Sequence, residues 1–149
     1  MDITNTTASI NTWHKLARPK PTDKDFQVQL GCHFEEVAEM LECLTATTEA
    51  FDLELQELFS LLDSVGGKLK RHQGAVSIKN PKLFIDSIAD QVVTGIGTAY
   101  CAGMNAPLAI ERVDISNWSK FVDGKPVFNE YGKIAKPSTY KEPDLRGCF

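Results

Sequence analysis

Apolar residues recur along most of the chain at helical rather than strand spacing. Leu30, Phe34, Val37, Leu41 and Leu44 follow one another at intervals of three and four and predict a helix over about 25–46. After the interruption "TATTEA", a second apolar set predicts a helix over about 49–65: Phe51, Leu55, Leu58, Phe59, Leu62 and Val65. Gly66-Gly67 is its stop. The basic stretch 68–80 reads as a loop, and residues 68–72 within it as a solvated linker rather than a phosphate site. Asn80 and Pro81 mark the start of the next helix, and Gly103 follows its end. The dense apolar content between them predicts burial on most sides. A fourth main helix runs from about Asn105 to about Lys120, with Pro107 in its first turn.

The flanks are more polar. A short helical piece is expected over 10–17. "RPKPTDKD" then leads into the first long helix, with Thr22 or Asp25 as N-cap. Beyond residue 120, turn signals at Asp123-Gly124 and Tyr131-Gly132 predict a small hairpin and an extended tail. The expected fold class is all-α: four main helices as a bundle in a single domain over 1–149, with a helical core at about 25–120. An irregular C-terminal arm follows at 121–149.

A net charge of −4 argues against a protein held to nucleic acid by neutralising phosphates. The N-terminus lacks the basic and apolar regions of a signal peptide, and no segment approaches a membrane span. Cys32, Cys43, Cys101 and Cys148 form no C-x-x-C pair and read as reduced core thiols, which fits a cytoplasmic protein.

The informative chemistry is acidic. Glu36 and Glu39 share a helix face with Cys32 and Cys43, beside Met40. Glu35 lies further round and reads as the most solvent-facing of the three. Asp86 and Asp90 repeat the theme one turn apart in the third main helix, with Gly97 on the same sector. Acids inside apolar helices are costly unless paired, protonated or bound to metal. Two helices that each present two carboxylates make an oxygen-only site suited to Mg²⁺ or Mn²⁺.

Other residues frame this expectation. His33 is placed to hydrogen-bond Glu36 or touch a substrate, although a structural histidine is the commoner case. Trp13 and His14 offer either stacking on a base or packing of the N-terminal segment. Asn117 and Lys120 are spaced to hold a phosphate or sugar. The tail interleaves Lys125, Lys133, Lys136 and Lys141 with Tyr131 and Tyr140, as a phosphate-binding flap or a soluble arm would.

"FEEVAEM" with the later "DSIADQVV" resembles the EExxE…ExxD signature of the MazG-like all-α nucleoside triphosphate pyrophosphohydrolases. Dimeric dUTPases and phosphoribosyl-ATP pyrophosphatases share it. The C-terminal "SNWSKF…DGKPVFNEYGKIAKPSTYKEPDL" is similar to that of the small single-domain branch found in bacteria and phages. The resemblance covers about residues 26–145. It implies Glu36, Glu39 and Asp90 as metal ligands. Ser87 stands where the Glu of ExxD would fall, and Asp86 is its natural substitute. Asn117 and Lys120 match an SNxxK element that contacts nucleotide, and Lys136 and Tyr140 match a tail pattern that approaches phosphates.

The implied activity is Mg²⁺-dependent cleavage of a (d)NTP to (d)NMP and pyrophosphate, with Glu36 or Glu39 handling the water. The implied protein is a homodimer or homotetramer in the cytoplasm, or in the host cytoplasm if phage-encoded. Phosphoribosyl-ATP or guanosine-alarmone hydrolysis is the alternative within the class. A non-catalytic oligomeric helical adaptor or inhibitor is the alternative outside it.

Overall fold

The computed structural model describes residues 3–149, with side chains from Asn5 onward. It is mainly helical: α1 Ile3–Ala17, α2 Asp23–Glu42, α3 Glu49–Lys70, α4 Pro81–Cys101 and α5 Ala106–Trp118. A two-residue hairpin, β1 Phe121–Val122 and β2 Lys125–Pro126, follows α5. Asp123 and Gly124 both have positive φ, 50° and 73°, which is what a type I′ hairpin turn requires. No helix among the described residues is long and apolar enough to cross a membrane.

Local chemistry starts each main helix where the sequence predicts. Thr22 caps α2, and Asp25 returns the bond to the Thr22 backbone N–H, so both candidate residues belong to one capping box. Asn80 and Asn105 cap α4 and α5 through their side-chain oxygens, each with proline in the first turn. The boundaries differ in three places. α1 begins at Ile3 rather than near residue 10. α2 stops at Glu42, ahead of the threonine-rich stretch 45–48. α3 continues through Gly66-Gly67 to Lys70, so residues 68–70 are helix rather than loop.

The chain gathers into two compact units. One comprises Lys20–Val76 and Phe128–Lys133. Here α2 and α3 form an antiparallel pair whose closest approach is glycine on glycine. A Cβ on Gly31 would lie 2.6 Å from the Gly66 carbonyl oxygen, and one on Gly66 would lie 2.8 Å from that of Gly31. This contact explains why the glycines do not end α3. Their loss of helix propensity, about 1 kcal/mol each, is offset by backbone-to-backbone packing that no other residue permits. Val28, Ala38 and Leu69 are buried around it. Leu30, Phe34, Val37 and Leu41 flank the contact half-buried, and Leu44 is 53% exposed. Towards the connecting turn the helices open around a cavity of about 320 Å³ between Leu41 and Phe59. The buried Gln27 amide donates to the Val76 carbonyl (2.8 Å) and accepts from its N–H (3.0 Å), which ties down the segment after α3.

The other unit comprises Met1–Pro19, Ser77–Val127 and Ile134–Phe149. Two tryptophans join α1 to α5. The Trp13 indole N–H donates to the Asn117 carbonyl (2.9 Å) and that of Trp118 to the Ser9 hydroxyl (3.0 Å). This docking stabilises the polar first half of α1, which has little helical signal of its own. The tail is not a loose arm. Ser116 donates to the Lys141 carbonyl, the Lys141 N–H to the Ser119 hydroxyl, and Arg112 to the carbonyls of Asp144 and Arg146. Asn105 N–H donates to the Cys148 carbonyl (2.8 Å). Residues 139–148 are thus strapped along α5. Of the four cysteines, only Cys148 is fully buried.

The expectation of a buried third main helix is not met within one chain. No residue of α4 is buried, and Leu83, Ile85, Val92, Val93 and Tyr100 are more than half exposed. Its composition records apolar surface, but this chain covers only part of it, through Phe84, Ile88 and Ile96.

Gly66→Ala should destabilise the protein by about 1–3 kcal/mol in chemical denaturation, because the new methyl meets backbone. Gly95→Ala, with nothing within 4 Å of its Cβ position, should be neutral or stabilising by up to about 1 kcal/mol.

Candidate functional site

The end of α5 gathers positive charge. Ser119 caps the helix and Lys120 follows it. The strap brings Tyr140 alongside, because Thr139 and Lys141 on either side of it both bond to Ser119. The Lys120 and Lys136 ammoniums lie 5.7 and 4.9 Å from the Tyr140 ring centroid. The negative face of the ring attracts both and offsets part of their mutual repulsion. A local concentration of cations results on a chain of net charge −4. Three residues separated by up to twenty positions, each singled out by sequence, therefore meet. Asn117 lies in the last turn of α5, three positions before Lys120, half-buried, and its carbonyl is held by Trp13.

Trp13 is only 7% exposed. It stacks on Phe121 at 5.6 Å and meets His14 edge-on at 4.9 Å. Its ring is engaged by the protein's own aromatic groups rather than offered to solvent. His33 is half-buried on α2.

The acidic residues fall in two places. Glu36 and Glu39 are exposed on α2, and Asp86 and Asp90 are exposed on α4. The two pairs belong to different units, and among the described residues no three His, Cys, Asp or Glu side chains are grouped to hold a metal ion. The donor chemistry nonetheless suits a hard divalent cation: each helix offers two carboxylates that, among the described residues, no lysine or arginine engages.

Glu35 corrects the sequence expectation. It is the most buried of the three glutamates, its side chain 20% exposed, and two lysines hold it. Lys70, from the last turn of α3, bonds Oε1, and Lys133 bonds Oε2 at 3.0 Å. No local pattern marks this pairing, because the partners lie 35 and 98 positions away. Only the glycine contact brings Lys70 there: its Cγ would lie 2.8 Å from a Cβ on Gly31. Burial first, and then the Lys133 ammonium, push Lys70 below the ordinary amine value, while Cys32 acts in the opposite sense.

Burial, with the Arg18 charge adding to it, holds His14 below its ordinary value of 6.5. The unfolded chain therefore binds this proton more readily than the folded one. Its contribution to stability is complete above about pH 6.5 and is lost as pH falls through that value towards the lower folded pKa. Thermal melts should show a decrease over that window in the wild type and a flatter profile in His14→Gln.

No protein-family model, curated protein or solved structure matches this chain.

Proposed function

We propose that the protein is a Mg²⁺-dependent nucleoside triphosphate pyrophosphohydrolase that converts (d)NTP and water to (d)NMP and pyrophosphate. The observation that carries the proposal is the meeting of Lys120, Lys136 and Tyr140, which suits a polyphosphate on a chain otherwise too acidic to attract one. The carboxylates proposed as Mg²⁺ ligands are those of Glu36 and Glu39 in one unit and those of Asp86 and Asp90 in the other, with Mn²⁺ able to substitute. When bound, Mg²⁺ supplies charge neutralisation for the triphosphate and lowers the pKa of a bound water.

The remaining chemistry belongs to the chain. Lys120 and Lys136 offset charge on the phosphates, and Asn117 orients the nucleotide. Glu36 or Glu39 accepts the proton of the attacking water. The ordered strap presents Lys136 and Tyr140 in place, so little ordering cost falls on substrate binding.

The same proposal includes a four-helix bundle assembled as a homodimer or homotetramer. The exposed apolar side chains of α4 support it, because large exposed apolar surface is ordinarily covered by a partner. That observation alone also favours a second reading, a non-catalytic oligomeric helical adaptor, and Mn²⁺ titration calorimetry separates the two. Saturable binding near neutral pH belongs to the enzyme and its absence to the adaptor.

In a panel of nucleoside triphosphates with Mg²⁺, at least one should release pyrophosphate. Glu39→Gln and Asp90→Asn should each lower kcat by about 100-fold or more. Lys136→Gln should act mainly on KM, raising it on the order of tenfold. No turnover of any nucleotide, or full activity in both carboxylate variants, overturns the proposal.

A further inference from the structure

The contact of Lys70 and Lys133 with Glu35 is more than a surface ion pair. Three separate segments converge there: α2, the end of α3 and the turn Phe128–Lys133. Each is built for the meeting. Gly31, one turn before Glu35, has no side chain, so the Lys70 stem can lie against α2. The turn that carries Lys133 is closed on itself. The Asn129 side-chain oxygen accepts from the N–H groups of Tyr131 (3.0 Å) and Lys133 (2.9 Å). Asn129 N–H donates to the Lys133 carbonyl (2.9 Å), and Gly132 supplies the positive φ of 84°.

The charges do not balance. Two ammoniums face one carboxylate; the Arg71 guanidinium adds a further positive influence on Lys70, which Cys32 opposes. A purely structural bridge needs only one lysine. The second leaves an uncompensated positive charge where Lys70 and Glu35 are largely removed from solvent, their side chains 17% and 20% exposed. Such a place favours an anion with more negative charge and more acceptor oxygens than a carboxylate provides.

We propose that Glu35 is an internal counter-ion that occupies a two-lysine seat for a phosphate-bearing anion. The incoming polyphosphate enters at Lys133, whose side chain is 45% exposed and so the accessible member, and displaces Glu35 from both ammoniums. The identity of the anion rests on the pyrophosphohydrolase proposal. The seat itself rests on the lysine geometry. Glu35 then sets the threshold for binding: it keeps the two ammoniums gathered when no ligand is present, and it competes with weak anions.

The test is calorimetric titration of inorganic tripolyphosphate into the full-length chain, in low-salt buffer with EDTA, so that no metal and no hydrolysis contribute. Glu35→Gln should bind about three- to tenfold more tightly than wild type, and Lys133→Gln at least about fivefold more weakly. A merely structural bridge predicts the reverse for the first variant, since losing the bridge would loosen the lysines and weaken binding. Unchanged or weaker binding by a Glu35→Gln protein of wild-type helicity overturns the proposal. If that variant folds poorly, Lys133→Gln decides: wild-type affinity overturns it. Nucleotide hydrolysis with unchanged Glu35→Gln affinity removes the counter-ion role alone. Tightening without turnover of any nucleotide supports that role and removes the pyrophosphohydrolase.

Discussion

The contact on which half of the molecule depends is the backbone approach of Gly31 to Gly66. A single methyl at either position would meet a carbonyl oxygen at less than 3 Å. Because neither is present, α2 and α3 close together at one end, and two consequences follow from that closeness. Lys70 reaches Glu35, and Gln27 meets both polar groups of Val76. Each is a polar arrangement that wider-spaced helices would not allow. A packing constraint therefore decides where the charges of this unit go.

The other unit is organised around α5. Its two flanks are fastened differently, α1 by tryptophan N–H groups and the C-terminal strap by hydroxyl and guanidinium donors. Most of these donors find backbone carbonyls, and one finds the Ser9 hydroxyl, so satisfied polar groups add to the order of the unit. The strap delivers Tyr140 to the end of α5, and the lysine pair follows from that placement. α4, in contrast, carries its apolar side chains largely outward.

Much of the fold is legible along the chain. Thr22, Asn80 and Asn105 announce helix starts because a side-chain oxygen that satisfies an unpaired backbone N–H is a local interaction. Asp123-Gly124 announces its turn because few residue pairs tolerate two positive φ angles. The same local logic misread Gly66-Gly67. Glycine stops a helix by default, and only the opposing glycine on α2 makes it a packing position. Lys120, Lys136 and Tyr140 were legible as candidates, but nothing in their spacing shows that they share one place.

The sequence by itself determined the helical class, the starts of the four main helices, the hairpin turn and the identity of the acidic and basic residues that carry the candidate chemistry. These depend on interactions within a few residues, or on side-chain chemistry alone. Tertiary structure decided which of those residues are available. It took Glu35 out of the solvated set by bringing two lysines to it, left Glu36 and Glu39 exposed, enclosed Trp13, and turned an expected loose tail into a strap. Each of these outcomes depends on contacts between positions far apart in the chain. Such contacts follow from how closely whole helices can approach, and that distance is set by packing rather than by any local pattern.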